Sequence, residues 1–173
     1  VGTIGTQTKL SHPFPSHRNF FLPAPSVPAD PRRTFCEELL DAMAMGVGDY
    51  FEKTGAFRQI GVALSGGRDS LLCLLIAHRY VTRRYRADGE QTVKQKVAEM
   101  LRAFYMPTRY SSSATCSAAE IAATELGIPF VILSIEEAFE REVEATRKML
   151  HPGEELTQLT VQNIQARLRA ERM

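Results

Sequence analysis

The chain has 173 residues, of which 44% are hydrophobic, and its formal net charge at pH 7 is +1. This length is enough for one domain with a hydrophobic core. A net charge this small gives no global electrostatic reason to bind nucleic acid or a membrane surface. Since no run of about eighteen apolar residues occurs in the sequence, we also expect no transmembrane helix.

The cysteines and histidines argue against a zinc site. Cys36, Cys73 and Cys116 are widely spaced and form no C-x-x-C pair, and the four histidines show no ligand spacing. A small, odd number of cysteines is typical of a reducing compartment, so we expect a cytoplasmic location. Cys73 lies within an apolar stretch and is expected to pack in the core.

Residues 1–33 hold six of the nine prolines. Because proline fixes φ and has no backbone N–H, these residues predict an extended connector arm rather than a core element. The chain begins with Val1 and not with methionine, so we expect it to be a piece of a longer protein. The predicted domain therefore covers residues 34–173.

A first helix is predicted over residues 34–53. Thr34 is a candidate N-cap, and Glu37 stands at the position that completes a capping box. Apolar residues recur at helical spacing and predict the buried face. They are Leu39, Leu40, Met43 and Val47. Gly46 and Gly48 weaken this pattern.

The next stretch has the pattern of a strand, a glycine-rich turn and a helix. An apolar run over residues 60–64 predicts the strand, and a second apolar run predicts a helix over 69–85, with Leu72, Leu75, Ile76 and Tyr80 on one face. Between them lies Ser-Gly-Gly-Arg-Asp-Ser at residues 65–70. Glycines permit close backbone approach, and a helix N-terminus offers unpaired N–H groups and the positive end of the helix dipole. The pattern predicts a binding site for phosphate.

The residue types in this turn fit such a site. Ser65 and Ser70 offer hydroxyl donors. Asp69 would repel phosphate unless it holds a cation, and Mg²⁺ prefers oxygen ligands. The turn is not the usual P-loop, because no lysine follows its glycines. The alternative is an ordinary turn in which Asp or Ser caps the helix, and we expect Arg68 to face solvent.

Four arginines cluster near the end of the second predicted helix. They are Arg79, Arg83, Arg84 and Arg86. These side chains could contact phosphates. Cations also favour a helix C-terminus, however, and we prefer the interpretation that they belong to a solvated helix end.

The remaining chain alternates between helical and strand patterns. Helices are predicted over 91–102, 115–126, 136–150 and 159–172, and strands over 104–106 and 130–133, the second of them buried. This alternation predicts an α/β fold with a doubly wound parallel sheet and helices on both faces. The turns at residues 65–70 and 107–113 should then meet beyond the carboxyl ends of the strands, where ligands bind in such sheets.

Three stretches carry a resemblance to a known family when they are read in order. The first is the turn at residues 65–70, and the second runs from Tyr105 to Cys116. The third is Gln-Asn-Ile-Gln-Ala-Arg-Leu-Arg at residues 162–169. Together they resemble the synthetase domain of glutamine-dependent NAD⁺ synthetases, with a spacing in the second stretch that looks most like the eukaryote-type branch. The resemblance covers residues 34–173 and implies an incomplete fold of the ATP pyrophosphatase type.

The resemblance implies a carbon–nitrogen ligase that converts deamido-NAD⁺ into NAD⁺ with ATP and Mg²⁺. The nicotinate carboxylate would attack the α-phosphorus of ATP, which releases pyrophosphate and gives an acyl-adenylate. Ammonia delivered from a glutaminase domain would then displace AMP. The protein would position the reactants and spread the negative charge of phosphoryl transfer. The resemblance also implies a homo-oligomer at full length, with no nucleic-acid or membrane partner.

The resemblance also implies the site residues, position by position. Ser65 and Asp69 would take part in catalysis, and Asp69 would also hold Mg²⁺. Asn163 and Arg167, which are four residues apart and share a helix face, would contact deamido-NAD⁺. The ATP-binding residues would be Ala63, Leu64, Ser65, Gly66, Gly67, Arg68, Asp69, Ser70 and Arg109.

Other residues in these stretches are expected to be structural. Gln165 and Arg169 project away from the face that holds Asn163 and Arg167. Cys116 matches a family position, but it has no evident base partner, so we do not expect a nucleophile there.

The resemblance implies missing parts as well. The family continues beyond the third stretch with a strand, a further loop and a second metal-binding acid, and this chain contains no glutaminase domain. We therefore expect the chain alone to catalyse poorly. Two alternatives stay open. One is another ATP pyrophosphatase, such as a GMP synthetase or a tRNA-thiolating enzyme, and the other is a non-catalytic nucleotide-binding or assembly module.

Overall fold

The computed structural model describes residues 30–151 and 153–172. The helices are α1 (Pro31–Thr54), α2 (Arg68–Arg84), α3 (Glu90–Met100), α4 (Ser113–Glu125), α5 (Glu136–Arg147) and α6 (Gln158–Glu171), with a short 3₁₀ turn at Arg86–Asp88. The strands are β1 (Ile60–Ala63), β2 (Leu101–Tyr105) and β3 (Phe130–Ile132). The chain divides into two units, residues 1–36 and 37–173. Among the described residues, no helix has the length and apolar character needed to cross a membrane.

The three strands form one parallel sheet in the order β1-β2-β3. Ala63 pairs with Phe104 where β1 ends, and Tyr105 pairs with Ile132 where β2 and β3 end. The carboxyl ends of the strands therefore lie along one edge of the sheet. The predicted parallel sheet of an α/β fold is confirmed.

Side chains of the central strand alternate between two faces of the sheet. Leu101, Ala103 and Tyr105 are buried in the larger core, to which α1, α2, α3 and α4 contribute. Phe104 packs on a smaller core that contains Met106 and residues of α5 and α6. Because helices cover both faces, the predicted doubly wound arrangement is confirmed for this part of the fold.

Helix α1 begins earlier than predicted, and Asp30 rather than Thr34 caps it. The Asp30 carboxylate accepts hydrogen bonds from the backbone N–H groups of Arg32 and Arg33, at 3.1 Å each. Aspartate is a favoured N-cap, and Pro31 fits the first helical position, where its missing N–H costs nothing. The last residues of the predicted arm therefore belong to a helix, and residues 1–29 of the arm lie outside the described part of the chain.

The buried face of α1 also differs from the prediction. Ala44 and Gly48 are the buried residues of this helix. The predicted core positions Leu39, Met43 and Val47 are exposed. Small residues form the buried face because α1 packs closely against the core at these positions. Hydrophobic periodicity alone does not detect a helix face made of small residues.

Two residues of α2 lie on the other side from the one predicted. Leu72 and Cys73 are exposed, whereas Leu74, Ala77 and Val81 are buried. The helix starts with a nearly continuous apolar run, so several faces have similar hydrophobicity. Packing against the sheet then decides which face is buried, and the core role predicted for Cys73 is wrong.

Strand β2 begins at Leu101, before its predicted start, so the helix predicted to reach residue 102 ends at Met100. Leu101 and Ala103 are fully buried. Arg102 interrupts the apolar pattern between them, and its guanidinium donates back to the Leu101 carbonyl at 2.8 Å. Because of this charged residue, the sequence pattern predicts a later start for the strand.

Strand β3 is not the buried strand that its apolar run predicted. Val131 and Ile132 are 41% and 55% exposed. Among the described strands, β3 pairs with β2 alone and lies at the edge of the sheet. An apolar run does not distinguish an edge strand from a central one.

Candidate functional site

The glycine-rich turn lies directly beyond β1. Leu64 continues the sheet contact, because its backbone N–H donates to the Phe104 carbonyl at 2.8 Å and its side chain is buried. The residues from Ser65 onward turn away from the sheet and lead into α2. Since β2 is the neighbour of β1, this turn lies next to the segment that follows β2.

Two serine hydroxyls hold the turn in one conformation. The Oγ atoms of Ser65 and Ser70 are 3.0 Å apart. Ser70 Oγ accepts from the Ser65 backbone N–H at 3.1 Å and donates to the Gly67 carbonyl at 3.0 Å. Ser65 Oγ accepts from the Gly67 backbone N–H at 3.2 Å. These bonds join the two ends of the turn, so both predicted site serines also shape it.

The start of α2 has no side-chain cap. Its N-cap residue is Gly67, with φ −94° and ψ 164°, which makes no side-chain cap hydrogen bond. The Gly67 N–H itself donates to Ser65 Oγ. By contrast, Ser112 caps α4 and Thr157 caps α6, each with its hydroxyl oxygen. The first N–H groups of α2 are therefore available to an anion, and the helix dipole favours negative charge there.

Only glycine fits at position 66. Its φ of +78° is rarely adopted by residues with a side chain. A Cβ atom at this position would also lie 2.5 Å from the carbonyl oxygen of Thr115 and 2.8 Å from its Cα. The turn thus packs backbone to backbone against the first turn of α4.

A hollow of about 100 Å³ lies between the turn and α4. Its walls include Gly66 and Gly67 on one side and Ala118 and Ala122 on the other. The alanines leave room beside the turn that larger side chains would fill. Arg68 also lines this hollow and is exposed, as predicted.

Asp69 lies in the first turn of α2, where it is exposed and is the only acidic residue. Within residues 30–151 and 153–172, no three His, Cys, Asp or Glu side chains are grouped to hold a metal ion. Asp69 can therefore supply one carboxylate to a cation, and the remaining oxygen ligands would have to come from a bound phosphate compound and water. Such a donor set fits Mg²⁺ held together with a nucleotide.

Arg109 is held by helix α5. Its backbone N–H donates to Glu136 at 2.6 Å, its Nε donates to the same carboxylate at 2.5 Å, and its Nη2 donates to Glu140. Desolvation raises the pKa of Glu136, but the hydrogen bonds from Arg109 outweigh this effect and lower the pKa overall. A direct contact between Arg109 and a nucleotide would require its half-exposed guanidinium to leave or share these carboxylates.

Helix α6 presents two faces with different roles. Gln165 donates from Nε2 to Thr108 Oγ1 at 2.7 Å, and Arg169 donates from Nε and Nη2 to the Met106 carbonyl at 3.3 Å. Burial lowers the pKa of Arg169. The prediction that these two residues are structural is confirmed, because they fasten α6 to the segment that follows β2.

The other face of α6 lines a groove of about 380 Å³. Asn163 and Arg167 are exposed there, and Glu142 and Thr146 of α5 form the opposite wall. The two side chains share a helix face, as predicted. A groove with an amide, a guanidinium, a carboxylate and a hydroxyl on its walls can bind a polar ligand.

The structure brings some of the predicted site residues together and leaves others apart. Ala63, Leu64 and the turn at 65–70 are contiguous and meet the start of α4. Among the described residues, no hydrogen bond or ion pair joins this turn to Arg109 or to the groove of Asn163 and Arg167.

Sequence reasoning missed two residues that shape this region, Thr115 and Glu136. Thr115 contacts Gly66, and Glu136 holds Arg109. Ser112 was a usable signal for the start of α4, since serine is a favoured N-cap residue. No pattern in the sequence connects Arg109 with Glu136.

Comparisons with known proteins agree with these features. Residues 39–173 match the family model described as NAD synthase. A glutamine-dependent NAD(+) synthetase from Thermotoga maritima is 34% identical over 133 residues, which are 77% of this chain and 20% of that protein. The chain thus spans about a fifth of the length of the curated relatives it matches.

Solved structures give the same result. A glutamine-dependent NAD⁺ synthetase from Acinetobacter baumannii, in complex with ADP, matches with a TM-score of 0.65 at 27% identity. The matched region is 86% of this chain and 24% of the Acinetobacter chain. A glutamine-dependent NAD(+) synthetase from Cytophaga hutchinsonii matches with a TM-score of 0.66 at 24% identity. The matched region is 77% of this chain and 27% of the Cytophaga chain. At that identity the second structure supports the fold alone.

Proposed function

The chain belongs to the NAD synthase family, and from that premise we propose that it is the part of an NAD⁺ synthetase that binds ATP. The full-length protein would be a carbon–nitrogen ligase that amidates deamido-NAD⁺ through an acyl-adenylate, with release of pyrophosphate and AMP. Family membership favours this reaction over that of a GMP synthetase or a tRNA-thiolating enzyme.

One observation carries the proposal. The N-terminus of α2 has no side-chain cap, and it follows a turn at the carboxyl edge of a parallel sheet in which Gly66 has a positive φ and packs closely against α4. Backbone N–H groups at such a helix start bind phosphate oxygens well. In this proposal, the turn at 65–70 binds the phosphates of ATP, with Ala63 and Leu64 at the end of the adjoining strand.

The side chains of the turn would have separate tasks. Ser65 and Ser70 keep the turn in its conformation and offer hydroxyl groups to phosphate oxygens. Asp69 would hold Mg²⁺, which would neutralise charge on the phosphates and on the departing pyrophosphate. Arg68 would contact the nucleotide from the edge of the hollow. The main contribution of the turn is then to fix the ATP phosphates in line for attack on the α-phosphorus.

The other site residues belong to separate surfaces. We propose that Arg109 exchanges one of its α5 carboxylates for the nucleotide when ATP binds. Asn163 and Arg167 would contact deamido-NAD⁺ from the groove between α5 and α6. Both assignments depend on the family resemblance and on the exposure of these side chains.

Several proposals concern the full-length protein. Residues 1–33 would connect this domain to a glutaminase domain that supplies ammonia, and residues 34–173 would form the first part of the synthetase domain. The full-length enzyme would be a cytoplasmic homo-oligomer. The sparse cysteines support the cytoplasmic location, and the greater length of the curated relatives supports further domains.

Titration calorimetry on the 173-residue chain tests the proposal with two ligands, ATP with Mg²⁺ and deamido-NAD⁺. We expect ATP to bind in the presence of Mg²⁺, and Asp69→Asn should remove most of the Mg²⁺ dependence. Binding of ATP alone would leave the deamido-NAD⁺ assignment without support. Absence of binding by either ligand would favour a non-catalytic assembly module.

A pair of glycine variants tests whether the turn is the binding site. Gly66→Ala should abolish ATP binding, because the new Cβ meets the Thr115 backbone and the positive φ becomes strained. Gly89→Ala is the matched control, since Gly89 also has a positive φ of +93° but no atom lies within 4 Å of its Cβ position. Equal loss of binding in both variants would point to general destabilisation and contradict the assignment.

A further inference from the structure

The first turn of α4 contains a compact hydroxyl network centred on Thr115. The Thr115 hydroxyl donates to the Ser112 carbonyl at 2.8 Å and accepts from the Ser112 hydroxyl at 3.2 Å. It also shares a 2.7 Å hydrogen bond with the hydroxyl of Tyr105, which is the last residue of β2 and is buried. Since the Thr115 proton goes to the Ser112 carbonyl, Tyr105 is the donor in this bond, and its hydroxyl also lies 3.3 Å from the Ser112 carbonyl oxygen. The network therefore ties the start of α4 to the central strand.

The same residue forms the wall against which the phosphate turn rests. The Gly66 backbone is so close to Thr115 that a Cβ atom would lie 2.5 Å from its carbonyl oxygen and 2.8 Å from its Cα and Cβ. Any shift in the first turn of α4 would therefore move this wall relative to Gly66. The hydroxyl network links this wall to the last residue of β2.

We propose that Thr115 is a positioning residue for the phosphate-binding turn. Its hydroxyl, held by Tyr105 and Ser112, fixes the start of α4 and thereby sets the position of Gly66 and the opening of the turn. This inference rests on the proposed function only for its consequence on ATP binding, because the contact with Gly66 exists in the free chain. A positioning role for Thr115 and Tyr105 does not follow from the family resemblance.

Hydrogen exchange in the free chain tests the positioning directly. The reporter is the Gly67 amide, which donates to Ser65 Oγ within the turn. Thr115→Val keeps the side-chain shape but removes the hydroxyl, and Tyr105→Phe removes its partner. Each should make this amide exchange about fivefold faster, since one ordinary hydrogen bond corresponds to roughly that factor. Thr115→Ser retains the hydroxyl, so in this variant the Gly67 amide should exchange at the rate of the unsubstituted chain.

Thr124→Val is the matched control, because Thr124 is an exposed threonine on the same helix. It should leave the Gly67 exchange rate unchanged. Unchanged exchange in both Thr115→Val and Tyr105→Phe would overturn the proposal, and so would acceleration by Thr124→Val to the same extent. If Thr115→Val does not fold, Tyr105→Phe decides the question alone.

Binding of ATP with Mg²⁺ gives the second readout. Thr115→Val and Tyr105→Phe should each raise the dissociation constant for ATP about fivefold. The double variant should bind ATP no more weakly than the weaker-binding single variant, because both changes break the same hydrogen bond. Additive losses would contradict a shared network. If the unsubstituted chain does not bind ATP, the proposed function fails, while the exchange rates still decide the positioning role.

Discussion

At the scale of single residues, Gly48 shows how one missing side chain determines helix packing. Gly48 is buried in the middle of α1, and a Cβ atom there would lie 2.4 Å from Cδ2 of Tyr80. The Tyr80 ring is itself buried, so it has little room to move. Two positions earlier on the same helix, Gly46 is exposed and has no atom within 4 Å of its Cβ position.

These two glycines should respond in opposite ways to alanine. Gly46→Ala should raise the free energy of unfolding by about 0.5–1 kcal/mol, because alanine favours the helix without a clash. Gly48→Ala should lower it by roughly 1–3 kcal/mol, since overpacking against Tyr80 outweighs that gain. Urea denaturation of both variants measures the difference. Stabilisation by Gly48→Ala would show that α1 does not pack on Tyr80 as described.

The two kinds of glycine also show what the sequence can predict at this scale. Gly66 and Gly67 were recognised because a strand and a helix flank them directly, so the evidence is local. In the sequence, Gly48 only weakens the predicted helix, because the feature that requires glycine there is the ring of Tyr80 in another helix. A tertiary contact of this kind leaves no pattern in a single sequence.

At the scale of elements, an ion-pair cluster joins α1 to α2. Arg79 donates from Nε to Asp41 at 2.7 Å and pairs through Nη2 with Glu37 at 2.9 Å, while Arg83 also pairs with Asp41. Hydrogen bonds from Arg79 and Arg83 lower the pKa of Asp41 from 3.8 to about 2. Three of the four clustered arginines thus pair with α1, since Arg84 contacts Glu52 at 3.0 Å. The predicted solvated helix end did not include this pairing, in which the three guanidinium groups contact carboxylates of α1.

The ion-pair cluster should make the free energy of unfolding depend on pH in the acidic range. Because the pKa of Asp41 is lower in the folded chain, its contribution is fully present above about pH 4 and is lost as pH falls toward 2. Asp41→Asn should therefore reduce the midpoint of thermal unfolding at pH 6 and flatten its fall between pH 4 and 2. Asp49→Asn, which removes only an exposed ion pair with Lys53 on the same helix, is the control. A pH profile of Asp41→Asn that parallels the unsubstituted chain would contradict the ion pairing.

Elements differed in how well the sequence predicted them. All six helices and three strands of the described chain were predicted as elements, because hydrophobic period and the turn glycines are local signals. The predicted start of β2 was wrong because Arg102 breaks the apolar run. The predicted burial of β3 was wrong because its place at the sheet edge depends on the topology of all strands.

At the scale of the whole molecule, the edge strand β3 is an exposed apolar surface. Val131, Ile132 and Leu133 are all exposed. Within the described part of the chain, no strand pairs with the outer side of β3. Exposed apolar edges are prone to pair with other chains. We therefore expect the isolated chain to self-associate as its concentration rises.

Ile132→Lys should reduce this self-association, because it places a charge at the exposed edge. Ile121→Lys is the matched control, since Ile121 is 62% exposed on α4 and not on the sheet. Sedimentation velocity over a range of concentrations measures the effect. Equal reduction by both variants would mean that added charge alone is responsible and that the edge of β3 is not the contact.

For the candidate site, prediction worked within single segments and failed between them. The turn at 65–70 and the shared face of Asn163 and Arg167 follow from local spacing. The pairing of Arg109 with Glu136 and the contact of Thr115 with Gly66 join different segments, so only the folded chain reveals them. The contact with Thr115 bears on the position of the turn, and the pairing with Glu136 bears on the position of Arg109.

A titration of the isotope-labelled chain with ATP and Mg²⁺, followed by amide resonances, tests most directly whether the turn after β1 binds the phosphates. We expect the largest shifts at the backbone amides of residues 66–70, with smaller shifts at the start of α4, where Thr115 contacts Gly66. Shifts concentrated in the ion-pair cluster of α1 and α2, with the amides of residues 66–70 unchanged at saturation, would contradict the proposal.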